Sequence, residues 1–145
     1  MTVPKISVRN LQRKISVNVA ELERFSNHAV QHSLQLHKRR RTDLRKLSEI
    51  FIGLISDRRM ALLHRKFLGQ SGPTDVLTFQ HGEIFISVDT ARRHAHAFEN
   101  SLLRELKLYI AHGLLHLHGF DDKTPSESHK MKAAQEKILR NCCAL

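Results

Sequence analysis

Residues 111–122 read Ala-His-Gly-Leu-Leu-His-Leu-His-Gly-Phe-Asp-Asp, and the rest of the chain is best read outward from them. His112 and His116 stand four apart on a predicted helix. One turn takes about 3.6 residues, so the two rings lie side by side on one face and can chelate one ion. Gly119 follows at the predicted helix end, where only glycine takes the left-handed conformation cheaply. The chain can then double back and carry residue 121 or 122 towards the rings. The pattern H-x-x-x-H-x-x-G-x-x-D is the layout of an open metal site, with two helical histidines, a glycine turn and a third ligand. Three protein ligands leave a position for water, as catalytic zinc needs. Metzincin proteases share this spacing. Zincin proteases, however, place Glu directly after the first histidine as general base. Here that position is Gly113, so peptide hydrolysis by that mechanism is not expected.

A histidine pair four apart arises readily by chance in a chain with 11 histidines. The Gly119 turn and the acidic residue after it single this pair out. His118 lies two residues from His116 and points off the shared face, which makes it a polar neighbour rather than a ligand. His94, His96 and His129 are read as solvent-facing, with His129 as a reserve ligand.

Upstream, Ile6 and Val8 alternate with polar residues, which predicts an opening strand. Leu22, Phe25, Ala29 and Val30 recur at helical spacing, predicting a helix over about 18–36 with Asn18 as N-cap. Residues 47–56 (LSEIFIGLIS) form an apolar strand suited to burial on both faces. Asp57 is read as capping a helix to 68, broken by Gly69, Gly72 and Pro73. Strands follow at 74–79 and 83–88, and the gap with Gly82 suits a hairpin. Helices are predicted from Asp89 to about 99, from Ser101 to about 117, and from Thr124 to about 140. Pro125 suits the first turn of the last one, and Glu127 is placed for a capping box. The order predicts one α+β, α/β-like domain over 1–145. It is a small mixed four-stranded sheet packed with about five helices, with the metal site at the end of a central helix.

Composition fits a single soluble domain: 145 residues, 41% hydrophobic and 26% charged. The longest apolar run, at 50–55, is about six residues, far short of the roughly 20 that span a bilayer. The opening MTVPKISVRNLQRK shows no apolar leader segment, so a cytoplasmic location is expected. The two cysteines, Cys142 and Cys143, are adjacent and form neither a disulfide framework nor a metal pair. Charge is more informative. Lys+Arg number 24 against 14 Asp+Glu, a net +10, which attracts polyanions, nucleic acid foremost, with strong salt dependence. The stretch Lys38 to Lys46, with Arg39, Arg40 and Arg41, and the pair Arg58-Arg59 are candidate contacts to RNA backbone. Seven Phe, one Tyr and no Trp favour backbone charge over base stacking.

With these residues in view the chain resembles the YbeY endoribonucleases, small metal-dependent hydrolases of ribosomal RNA maturation. His112, Gly113, Leu115, His116, Leu117, Gly119, Phe120 and Asp121 match that family's signature. His64-Arg65 and Pro73-Thr74-Asp75-Val76-Leu77-Thr78-Phe79 match a second stretch, and Gly82-Glu83-Ile84 the start of the next strand. The resemblance implies a single-strand-specific, metal-dependent endoribonuclease acting in 16S rRNA 3′-end maturation and ribosome quality control. It implies one zinc per chain, with ribosomal RNA and the ribosome or its small subunit as partners. It makes His112, His116 and Asp122 the metal ligands. Arg65 would be the catalytic residue that holds phosphate beside them, and it joins the arginines named above in binding RNA. Asp121 would orient a ligand histidine or cap a turn, while Asp75 and Thr74 would brace the strand beside the site. One departure falls on a ligand: the family carries histidine where this chain has Asp122. A carboxylate binds zinc at about 2.0–2.2 Å. It leaves the centre one charge less positive, its water less acidic, and its preference shifted towards manganese or magnesium. Two other readings share these features. One is a non-catalytic RNA- or ribosome-binding factor with an altered metal site. The other is a metal-dependent hydrolase of another substrate.

Overall fold

The protein is described here by a computed structural model covering residues 3–36, 41–69 and 74–142. Four strands and six helices follow one another along it: β1 (Lys5–Asn10), α1 (Val19–Gln35), α2 (Asp43–Lys46), β2 (Glu49–Ile55), α3 (Asp57–Leu68), β3 (Val76–Phe79), β4 (Glu83–Ser87), α4 (Val88–Ala97), α5 (Leu102–Leu117) and α6 (Pro125–Cys142). The sheet order is β1-β2-β4-β3. The first three strands of that order run parallel, and β3 pairs antiparallel with β4 at the edge. This is the mixed four-stranded α+β sheet that the sequence predicts. No helix of the described residues is long and apolar enough to cross a membrane.

Side-chain alternation explains which strands lie inside. In β1, Ile6 and Val8 are buried and Lys5, Ser7 and Arg9 exposed, the pattern of a strand with one wet face. In β2, Ile50, Ile52 and Leu54 enter the main core, while Ile55 is buried in a second cluster. That is why its sequence is nearly continuously apolar. Helices α1, α5 and α6 share the main core. Helix α3 covers the other face, where Met60 meets Ile55 and Leu77.

Helix α5 is buried along most of its length, through Leu106, Ile110, Ala111, Leu114, Leu115 and Leu117. Gly113 sets how closely it lies on the sheet. A Cβ there would stand 3.0 Å from both Ile84 Cδ1 and Cγ2 and 3.2 Å from Thr78 Oγ1. A Cβ at this position would make Ile84 or Thr78 give by a few tenths of an ångström, so glycine suits the close contact between helix and sheet.

The structure corrects several expectations. The caps of α3 and α4 are Ser56 and Ser87, whose hydroxyls accept from Arg59 N and Thr90 N; Asp57 and Asp89 stand one and two positions later, in the first turns. The strands are shorter than read, because residue 47 ends the short helix α2 and 74–75 precede the ladder. Helix α2 is an unpredicted sixth. Four residues are too few for any periodicity, and its one local signal is the Thr42 cap on Arg45 N at 3.4 Å. At α6, half of the anticipated capping box forms: Glu127 N donates to Thr124 Oγ1 at 3.1 Å. The breaker residues Gly72 and Pro73, and Cys143, lie outside the described residues.

Candidate metal centre

The centre is built by the way α5 ends. Gly119 N donates to the His116 carbonyl at 3.1 Å, and Phe120 N to the Leu115 carbonyl at 2.9 Å, the paired bonds of a Schellman ending. Gly119 takes φ +91°, which a residue with a Cβ adopts only at a cost. The chain therefore reverses and returns Asp122 over the last turn. Asp122 Oδ2 stands 3.7 Å from His112 Nε2 and 3.9 Å from His116 Nε2. The two Nε2 atoms are 2.9 Å apart. These three residues form one group of possible metal ligands. A point equidistant from the three atoms lies about 2.1 Å from each, within the zinc–nitrogen and zinc–oxygen range of about 2.0–2.2 Å.

Hydrogen bonding on the far side of the rings shows what that point wants. His112 Nδ1 is 2.9 Å from Gln135 Oε1, and His116 Nδ1 is 3.1 Å from the Phe120 carbonyl. Both partners accept, so both Nδ1 atoms carry the proton and both Nε2 atoms present lone pairs. Two lone pairs and a carboxylate thus converge with no proton to place between the rings. A cation resolves this arrangement. Burial lowers the His116 pKa, and the neighbouring His112 lowers it further; Asp122 and the Phe120 carbonyl oppose this only in part. The favoured form is neutral imidazole, the form that ligates a metal.

Around the group runs an open cleft, walled by Leu68, Thr74, Asp75, Val76 and Thr78 on one side and by His112, His116 and Asp122 on the other. A wider hollow lies beside β1 and the β3–β4 turn. It mixes Lys5 and Lys46 with Glu49 and Glu83 and brings no metal-ligating group together among the described residues.

The other anticipated site residues separate into those at the cleft and those away from it. Asp75 lines it, and its Oδ1 accepts from Val76 N at 2.8 Å, holding the start of β3. Asp121 accepts from Asp122 N at 2.8 Å and lies 3.8 Å from Lys123 Nζ, while the Nδ1 atoms of His112 and His116 have Gln135 and the Phe120 carbonyl as partners. Arg65 is exposed on α3, one turn before Leu68, and makes no ion pair with the described residues. Arg58 is exposed at the opposite end of that helix. Arg41 is exposed and borders a groove that also touches His116, while Arg39 and Arg40 lie outside the described residues. His96 and His129 are exposed, as read. His94 is not solvent-facing. It is half-buried with Nδ1 against the Tyr109 hydroxyl. That hydroxyl is held well above its usual pKa by burial and by Asp75 and Glu105, so it donates to the ring.

Two partners escaped the sequence reading. Gln135, on α6, is 23 residues from the ring it orients, and nothing local marks it. His118, read only as a polar neighbour, is fully buried and bonded through both ring nitrogens.

Comparison with known proteins adds the following. A family model described as Endoribonuclease YbeY matches residues 7–142. The endoribonuclease YbeY of Phocaeicola vulgatus is 38% identical over 102 residues, covering 66% of this chain and 74% of the relative. That of Anaeromyxobacter sp. is 37% identical over 103 residues, covering 64% and 54%. That of Thermus thermophilus is 40% identical over 98 residues, covering 59% and 70%. The matched region thus spans between about half and three quarters of these relatives. The solution structure of TM1509 from Thermotoga maritima superposes with a TM-score of 0.59 at 25% identity, covering 94% of this chain and 90% of that one.

Proposed function

The chain belongs to the YbeY endoribonuclease family, and on that premise we propose that it cuts single-stranded ribosomal RNA with one divalent cation at His112, His116 and Asp122. The observation that carries the reading is the convergence of two proton-free Nε2 atoms and one carboxylate on a single point. The donor set suits zinc, and its carboxylate widens the choice towards manganese or magnesium. When bound, the cation supplies Lewis acidity towards a phosphate oxygen and an incoming water.

The chain's own residues do the rest. Gln135 Oε1 and the Phe120 carbonyl fix both rings, so no reorientation is needed on binding. Asp122 tempers the positive charge of the centre. Arg65 offers a two-pronged donor for the phosphate, entering from the α3 wall of the cleft, where charge builds in the transition state. The net charge of +10 draws the polyanion in. No carboxylate occupies the position after His112, which separates this centre from the peptidases with the same spacing. We place the activity in the cytoplasm, at the 16S rRNA 3′ end on the ribosome or its small subunit.

The test is elemental metal content of untagged protein beside Asp122→Ala, followed by cleavage of single-stranded RNA by both and by Arg65→Ala. About one metal per chain, lost in Asp122→Ala, with cleavage lost in both variants, is the expected result. The exposed third carboxylate, 46% accessible, favours a second reading, a binding factor without catalysis. Salt-sensitive RNA binding that survives both substitutions, with no cleavage by any form, would establish that reading and end the first.

A further inference from the structure

His118 closes α5 without facing the ligand group, and it is fully buried. Both its nitrogens are committed to one stretch of distant chain. Nε2 lies 2.9 Å from the Leu36 carbonyl and Nδ1 3.0 Å from Thr42 Oγ1. The carbonyl only accepts, so Nε2–H donates to it, and Nδ1 takes the Thr42 hydroxyl proton. The Thr42 oxygen is meanwhile occupied as acceptor for Arg45 N. Arg45 adds a second tie, with Nη2 donating to the Leu34 carbonyl at 3.2 Å. The end of α1 and the start of α2 are thus pinned to opposite edges of one imidazole, two residues from His116.

Between the pinned points the sequence reads His37-Lys38-Arg39-Arg40-Arg41, the densest cationic run in the chain. Its last residue, Arg41, is exposed and borders the groove that holds His116, Asp121 and Glu127. Asp43, Asp121 and Glu127 line the same groove, and Arg41 is the one arginine or lysine among the described residues that line it. A guanidinium matches a phosphate with two donors.

We propose that His118 is a positioning residue for RNA. Its clamp on Leu36 and Thr42 sets Arg41 beside the metal centre, where it holds a backbone phosphate flanking the scissile one. The inference rests on the endoribonuclease reading. Thr42→Val removes one half of the clamp without touching α5, His118→Leu removes both halves, and Thr42→Ser restores the hydroxyl. Each is examined for metal content and for kcat and KM on single-stranded RNA across a salt series, with Arg41→Ala made in the wild-type and Thr42→Val backgrounds. We expect metal content and kcat to hold in Thr42→Val and His118→Leu. KM should rise about tenfold, the scale of one charge-assisted contact, and the salt slope should fall by about 0.7, the share of one phosphate on a single strand. Thr42→Ser should match wild type, and Arg41→Ala should add almost nothing to Thr42→Val. Equal cost of Arg41→Ala in both backgrounds, or an unchanged KM in Thr42→Val, overturns the clamp alone. A fall in kcat together with metal content, not rescued by Thr42→Ser, shows a merely structural role and also overturns it. A wild type that binds metal but neither binds nor cuts RNA removes the endoribonuclease reading and the clamp with it.

Discussion

Gln135 shows how much of a metal site lies outside its ligands. Its amide oxygen holds the Nδ1 proton of His112, which turns the other ring nitrogen towards Asp122. Gln135→Ala should therefore lower metal affinity by about 10–100-fold while leaving the ligands in place; titration against a competing chelator measures this. The grouping of His112, His116 and Asp122 was legible in the sequence because all three residues fall within one helical turn and the reversal after it. Gln135 was not, since its distance along the chain is bridged only once α6 packs on α5. His94 failed for the same reason. Its spacing gave a helix face, but the Tyr109 hydroxyl that covers it comes from another helix.

The end of α5 carries the site because one glycine reverses the chain there. Gly119→Ala forces a Cβ into the left-handed region at a cost of about 1–2 kcal/mol, and it displaces Asp122 from the two rings. We expect a lower thermal midpoint together with reduced metal content, both read on the same sample. The N-termini of α3 and α4 present a different device. Asp57 accepts from Thr90 Oγ1 at 2.7 Å and Arg93 Nη1 at 2.7 Å, and from Ser87 Oγ. Burial alone would raise its pKa, yet the three hydrogen bonds together hold it below the ordinary 3.8. The folded state then binds this proton less readily than the unfolded one. The stability it confers is complete above the unfolded pKa and is lost as pH falls through the folded one. Asp57→Asn should flatten the acid side of a plot of urea midpoint against pH, below about pH 4, with little effect on the slope at neutral pH. The sequence predicted both helices but gave Asp57 the capping role that Ser56 holds, because a serine and an aspartate cap by the same chemistry and only the backbone angles separate them.

Net charge acts over the full surface and needs no particular contact. RNA affinity should fall linearly on a double-logarithmic plot against salt, with a slope near −0.7 for each phosphate engaged, and Arg65→Ala should reduce that slope. A slope near zero for wild type would show that shape rather than charge governs association. Most of the architecture was readable in advance. The strands carry either strict alternation or unbroken apolar runs, and the long helices carry their own period. What escaped was short or distant: the single turn of α2, and the bonds from His118 to segments 76 and 82 residues away.

The tight seat of Gly113 against Ile84 and Thr78 limits what this scaffold can become. The residue after the first histidine is where a related architecture would acquire a carboxylate and, with it, another chemistry. Here any such side chain would crowd Ile84 and Thr78 on the sheet beneath the helix that carries His112 and His116. A carboxylate at position 113 therefore comes only with repacking of the sheet side chains beneath it. Gly113→Glu should cost stability and metal content together before it confers any new activity.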